Sequence, residues 1–266
     1  MRLYYQYFKL RIITMLQYRE AAIAGLTTQF FWGLMLVFIY TALYQNGNNV
    51  GITLTEMVTY VWLNQAFFAL LNVRNVDNEI SDTIKNGDVA YEIIKPYNLY
   101  LWWYIKNMAK RIANGMLRFM PVIIIAIILP APYGISPPDS LTSFILFIIS
   151  LFLGILVVTG INMLVYIVGF YTYNEEGIKS MLNSIMEFLS GAYMPVVLLP
   201  TIIQKSTYYL PFRLISDFPY RVYSNNIGIK EGILSISLQL IWIFILVLIG
   251  NLIVKKALKK VFIQGG

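Results

Sequence analysis

Residues 78–98 read NEISDTIKNGDVAYEIIKPYN, a charged stretch punctuated by Gly87 and Pro96. Its reading decides the fold, because the chain on either side is largely apolar. Val76, Ile80 and Ile84 recur at i, i+4 and i+8, with Asp77, Glu79, Asp82 and Lys85 between them, which spells a short amphipathic helix. Gly87 stands where such a helix is capped at its C-terminus. From Asp88 to Lys95 the pattern is strand-like or extended, and Pro96 disfavours helix at Lys95. Leu99 to Met108, with Trp102, Trp103 and Tyr104, reads as an aromatic belt at a membrane interface. So short a helix cannot bury its apolar stripe alone. It packs on a partner protein, or it folds back on its own chain or the lipid surface.

Outward from this stretch the chain is grease. Of its 266 residues 58% are hydrophobic, 15% aromatic and only 12% charged, against about a quarter charged in a soluble domain. An integral membrane protein follows. Walking between charges gives six runs fit to cross about 30 Å of hydrocarbon. They lie at 21–44, 57–73, 112–133, 141–172, 181–200 and 232–254. Thr53-x-x-Glu56 is a capping box before the second, and Pro138-Asp139-Ser140 marks the start of the fourth. With no internal repeat and no linker, residues 1–266 read as one membrane domain. The N-terminus lacks a compact apolar core followed by a small-residue cleavage site, so the first span is expected to be retained.

No Cys and no His occur, which removes disulfides, thiolate nucleophiles, imidazole bases and the common nitrogen and sulfur metal ligands. A net charge of +7 in such a chain reports orientation in the bilayer before nucleic acid. Arg2, Lys9, Arg11 and Arg19 precede the first span; Arg74, Lys85, Lys95, Lys106, Lys110 and Arg111 lie between the second and third; Lys179 lies between the fourth and fifth; Lys255, Lys256, Lys259 and Lys260 are in the tail. Lys205, Arg213, Arg221 and Lys230 in 201–231 break the pattern. Fifteen against four puts both termini, and residues 78–98, in the cytoplasm. Residues 1–19 also carry a stripe, Tyr5, Phe8, Ile12 and Met15 opposite Arg2, Gln6, Lys9 and Gln17, as in a helix lying in the membrane interface.

These elements in this order, with EISDTIKNGDVAYEIIKP, LSGAYMPVVLLP, LPF and FIQGG, resemble the type-2 permeases of ATP-binding-cassette exporters, in the six-span branch without a fused ATPase. The resemblance covers essentially the whole chain. It implies an all-α membrane fold whose second-to-third loop is a coupling helix docking on a cytoplasmic ATPase, with Glu79, Ile80, Asp82, Ile84, Lys85 and Gly87 in that role. A second contact would come from Glu175, Glu176 and Lys179. It further implies a bacterial cytoplasmic-membrane location, and a dimer with a second copy or a sister permease. ATP and Mg would be bound by the partner, since no G-x-x-x-x-G-K-[ST] loop occurs here.

Arg118 and Glu187 interrupt the third and fifth spans. At about 2.5–3.5 kcal/mol for a central charge, each is expected to face protein or water, lining a substrate path or pairing with the other. Snorkelling to headgroups, or a polar group on a neighbouring helix, accounts for them equally. Gly191, Pro195 and Pro200 should bend or end the fifth span near Pro195. The half-apolar segment after it, broken by Pro211 before Phe212 and by Pro219, resembles a re-entrant plug at the outer side, where Arg213 and Arg221 would meet headgroups or the pore mouth. A passive channel or ion-coupled carrier is the alternative, and it calls for a charged ring or paired intramembrane acids. Glu187 is the one acid within a span. An enzyme is the weakest reading, for want of a convergent acid, base and nucleophile.

Overall fold

The computed structural model describes residues 2–17, 19–45, 51–171 and 175–259, which form helices and no strand. Lys260, the FIQGG tail and the side chains of Met15, Arg19 and Glu175 lie outside what is described. From the N-terminus, α1 (Arg2–Leu16) precedes the long apolar α2 (Arg19–Gln45) and α3 (Leu54–Leu71). The quoted stretch forms two short helices, α4 (Asn78–Lys85) and α5 (Val89–Ile93). Next come α6 (Leu99–Met116), α7 (Phe119–Ile128) and α8 (Leu141–Val168). Finally α9 (Glu175–Leu189) leads through a 3-10 turn at Val196–Leu198 to α10 (Thr201–Thr207), α11 (Asp217–Tyr223) and α12 (Ile229–Leu258). Among the described residues four segments are long and apolar enough to cross a membrane: Gly25–Gln45, Leu99–Ile128, Leu141–Val168 and Ile229–Leu258.

α3 sits at the centre. It opens on the expected capping box, Thr53 Oγ1 accepting from the Glu56 N–H at 3.3 Å and the Glu56 carboxylate accepting from the Thr53 N–H at 2.7 Å. Helices α2, α6, α7, α8 and α11 pack around it, so every residue from Met57 to Phe67 is buried. Asn64 and Gln65 therefore sit in protein, and the Asn64 amide donates to the Ala192 carbonyl at 2.7 Å. α8 starts on Ser140, whose side chain accepts from the Ser143 N–H. It then packs along α12, where Gln239 donates to the carbonyls of Ser150 and Leu214, each at 2.9 Å.

Several expectations are corrected. Residues 89–93 are a helical turn rather than extended chain. Leu99 begins not a separate belt but a helix that runs to Met116, breaks at Leu117 and Arg118, and resumes at Phe119. Pro121 explains the break: it has no N–H to give the Leu117 carbonyl, and its ring crowds that oxygen. α9 stops at Leu189, six residues before Pro195. There Gly191 takes a positive φ of 81°, the Ala192 N–H returns to the Glu187 carbonyl at 3.3 Å, and the Ser190 carbonyl accepts from the Asp217 N–H at 3.0 Å. At about 1.5 Å per residue α9 is near 22 Å long. Pro195 and Pro200 instead head the 3-10 turn and α10.

On α1, Phe8 and Ile12 of the expected stripe are partly buried but Tyr5 is exposed, and the packed face also takes in Tyr4, Tyr7 and Arg11. Tyr7 lies 4.0 Å from the Trp102 ring of α6, centroid to centroid, and the Tyr4 hydroxyl accepts from the Asn98 N–H. Arg213 and Arg221 also turn inward rather than to headgroups. Arg213 is buried, donating to the Tyr208 carbonyl and to Ser235, while Arg221 meets Asp217 at 3.4 Å and Asn226 at 2.8 Å. Their charge is used in folding this segment. Pro211 is buried and Phe212 packs on the central core.

The loops sort to two ends. Asn225 reaches Asp139, and Asn226 reaches Gly51 and Glu56, gathering 51–56, 139 and 221–226 at one. A separate core of Ile80, Ile84, Val89, Leu99, Tyr100, Trp103, Met163, Tyr166 and Val254 closes the other.

Candidate functional site

α4 has all the local signals of a helix eight residues long. Asp77 is its N-cap and accepts from the Glu79 N–H, Glu79 lies in its first turn and Lys85 in its last, and Gly87 follows with a φ of 77°. Both stripe residues point into the chain itself: Ile80 is 0% exposed and Ile84 is buried beside it. The stripe thus packs on its own chain, and Glu79, Asp82, Lys85 and Gly87 face outward.

Polar contacts fasten α4 to four other helices. Arg11 of α1 meets Asp77 at 3.2 Å and Glu79 at 2.8 Å. From α6, Lys106 pairs with Glu79 at 2.8 Å and Lys110 donates to the Val76 carbonyl at 2.8 Å. Tyr166 of α8 bonds through its hydroxyl to the Asp77 N–H and accepts from Asn107 at 2.6 Å. From α9, Lys179 donates to Ser81 at 3.1 Å and Glu176 pairs with Lys85 at 3.2 Å. Below them the buried Arg111 donates to the carbonyls of Leu70 and Asn72, which ties the end of α3 to α6. α4 is thereby tied by polar contacts to four helices of the bundle.

Glu79 shows the electrostatics of this clamp. Its partial burial raises the carboxyl pKa, but the hydrogen bonds and charges of Arg11 and Lys106 outweigh this and hold it at about 2, below the ordinary 4.5. A depressed acid stabilises fully above about pH 4.5, and its contribution is lost as pH falls towards 2. Protease access to α1 and α4 should therefore be flat from pH 8 to about 5 and rise only below about 4.5, and Glu79→Gln should remove that step.

Beside α4 the surface is apolar and open. Tyr91 is 70% exposed and Ile94 80% exposed, with Ile93 next to them. Asp82 and Lys85 of α4 are exposed as well. The residues expected from the stripe to face a partner are inside, and the outward apolar residues are those of α5.

The two charges within spans do not meet. Glu187 is buried and paired with Arg74 Nε at 2.7 Å, and it accepts from the Tyr193 hydroxyl at 2.6 Å. Arg118, at the α6–α7 break, lays its guanidinium against Gly25 of α2, where a Cβ would lie 2.6 Å from Cζ. It lines a cavity of about 440 Å³ between α2, α3, the α6–α7 break and the turn after α9. Trp32, Leu36 and Phe68 give the cavity an apolar wall, and Gln29, Gln65 and Tyr193 add polar groups. Gln29 is 5% exposed, and neither amide atom has a hydrogen-bond partner. Each such atom costs about 1–3 kcal/mol if nothing binds it.

Of the residues that matter here, Asp77 reads in the sequence only as a polar position of the helix, whereas it is the N-cap. Arg74, Asn107, Arg111 and Tyr166 carried no signal beyond composition: Arg111 and Asn107 bond one turn apart, but the contacts that tie these residues to other elements span 39 or more positions. Among the described residues no three His, Cys, Asp or Glu side chains are grouped to hold a metal.

The family model described as ABC-2 family transporter protein matches residues 30–265. A search of curated proteins found no match.

Proposed function

Because the chain belongs to the ABC-2 family of transporter proteins, a family of membrane subunits, we propose that it is the permease of an exporter driven by separate cytoplasmic ATP-binding-cassette ATPases. The observation that carries this reading is the fastening of α4 to α1, α6, α8 and α9 beside the open patch of Tyr91 and Ile94. In this reading two permeases form the pathway, α4 is the coupling helix, and the ATPase docks on Asp82, Lys85, Tyr91 and Ile94. Ile80 and Ile84 serve as the rivets that hold the lever to the bundle. Six crossings are made by α2, α3, α6 with α7, α8, α9 with its following turn, and α12. Residues 196–223 form the outer plug, and both termini lie on the ATPase side, in a bacterial cytoplasmic membrane. ATP and Mg belong to the partner.

A rigid lever is what such coupling needs, because closure of two ATPases on ATP moves the membrane helices only through elements that do not yield. A passive channel has no use for one. Co-expression with a cassette ATPase from the same cell tests the proposal. The wild-type chain should retain the ATPase through purification. Tyr91→Asp with Ile94→Asp should cut recovery at least tenfold, while the variant itself elutes and melts like wild type, since both side chains are exposed. Equal recovery of ATPase by the variant would reject the docking patch.

A further inference from the structure

We propose that the cavity of about 520 Å³ between the 3-10 turn, α10, α11 and the start of α12 binds a phosphate monoester, held by Lys205, Arg213 and Arg221. The site is read from the structure alone; its place at the outer plug of a pathway rests on the permease reading above. Its wall is strongly one-signed, for those three cations share it with a single acid, Glu231. Among the described residues Arg221 alone of the four takes part in an ion pair, with Asp217 at 3.4 Å.

The two guanidiniums have bonding capacity left over. Arg213 is 3% exposed, and a charge so buried ordinarily needs an opposite charge beside it. Its Nε donates to the Tyr208 carbonyl at 3.0 Å, its Nη2 donates to Ser235 at 3.2 Å, and its Cζ lies 4.1 Å from the Tyr208 ring centroid. Nη1 is left without a hydrogen bond among the described residues. Arg221 likewise commits Nε to Asn226 and Nη1 to Asp217, which leaves Nη2. Neither nitrogen is sealed in the interior, so both are open to an occupant. With the Lys205 ammonium they make three charged donors, which suit the three outer oxygens of a phosphate monoester better than the two of a carboxylate. The cavity has room for more than the phosphate, and Val197, Thr201 and Tyr209 give the rest of its wall apolar surface and hydroxyls. A cationic ligand would meet three like charges there.

The test is direct binding to the full chain in phosphatidylcholine nanodiscs. The probe is 6-(dansylamino)hexyl phosphate, compared with 6-(dansylamino)hexan-1-ol, and fluorescence anisotropy is corrected with empty discs. The phosphate should bind at least about tenfold tighter than the alcohol. Lys205→Glu should weaken it at least about fivefold and Glu231→Gln should tighten it about twofold. Lys230→Glu, next to Glu231 in the chain but outside the cavity wall, should stay within about twofold of wild type. All three side chains are exposed, so the variants should melt and elute like wild type. Displacement of the probe by phosphatidic acid placed in the disc would assign the phosphate to a lipid headgroup, and lack of displacement to a solute; the phosphate site stands in either case. Equal affinity for phosphate and alcohol, or equal loss from Lys205→Glu and Lys230→Glu, would overturn the proposal. Binding is read without the ATPase, so Tyr91→Asp with Ile94→Asp should leave it unchanged. A failed docking experiment would then count against the permease reading and not against this site.

Discussion

Replacing Ile80 by Asp should collapse the α4 clamp, at a cost of at least about 4 kcal/mol, because an unpaired carboxylate would be placed in a site that is 0% exposed. The measurement is thermal unfolding with limited proteolysis of residues 78–98. Ile80→Val, which removes one methylene, should cost only about 0.5–1.5 kcal/mol. Ile94→Asp, on the exposed neighbour, should fall within about 0.5 kcal/mol of wild type. The three variants separate the rivet from the docking face. A transport defect in Ile80→Asp alone says nothing of ATPase contact.

The second large effect is expected at Gly191. Its φ of 81° lies in the left-handed region, where an L side chain costs about 1–2 kcal/mol. Space is lacking as well: a Cβ there would come within 2.5 Å of the Tyr60 hydroxyl oxygen and 2.8 Å of the Asp217 Cβ. Neither neighbour can withdraw. Tyr60 is buried in α3 and donates to the Gly191 carbonyl at 2.7 Å, and Asp217 is held by the Val196 N–H and by Arg221. Gly191→Val should therefore lower stability by about 4 kcal/mol or more and separate α9 from α11. Gly177→Ala, on an open face of α9 with nothing within 4 Å of a Cβ, should gain about 0.5–1 kcal/mol. Both are read from melting temperatures of the purified chain.

What was legible in advance follows from how far each signal reaches along the chain. Thr53 with Glu56, and Ser140, mark helix starts within one turn, and both stand where expected. The recurrence of Ile80 and Ile84 shows that the two share a face, since that depends only on helical period. What covers the face is another matter. Trp103, Tyr166 and Val254 do so, from residues 19 to 174 positions further on, and periodicity contains no term for them. Pro121 was passed over because the third span was read from hydropathy, in which proline in an apolar run gives no sign of a backbone break. The α9 terminus was displaced to Pro195 for the opposite reason. Proline is the louder signal, but the positive φ at Gly191 and the clasp of Ser190 by Asp217 end the helix first.

The same distinction governs the site. Arg118 and Glu187 were recognisable as costly charges within apolar runs, yet their partners were not. Glu187 takes Arg74, 113 positions away, rather than Arg118. Gln29 and Trp32 gave no sign, because a glutamine in a span ordinarily bonds a neighbouring helix. Its two unpartnered atoms become visible only once the walls of the cavity are in place.

The central claim is that the α4–α5 element is where an ATPase meets the membrane subunit. The chain has no cysteine, so one introduced cysteine carrying benzophenone maleimide reports a single position. Ile94→Cys, Ile80→Cys and Ile148→Cys, the last exposed on the apolar flank of α8, would each be irradiated in membranes containing the cassette ATPase. The account predicts a permease–ATPase adduct from position 94 whose yield changes on adding ATP, and none from 80 or 148. An adduct from 148, or none from 94 while the ATPase is bound, would contradict it.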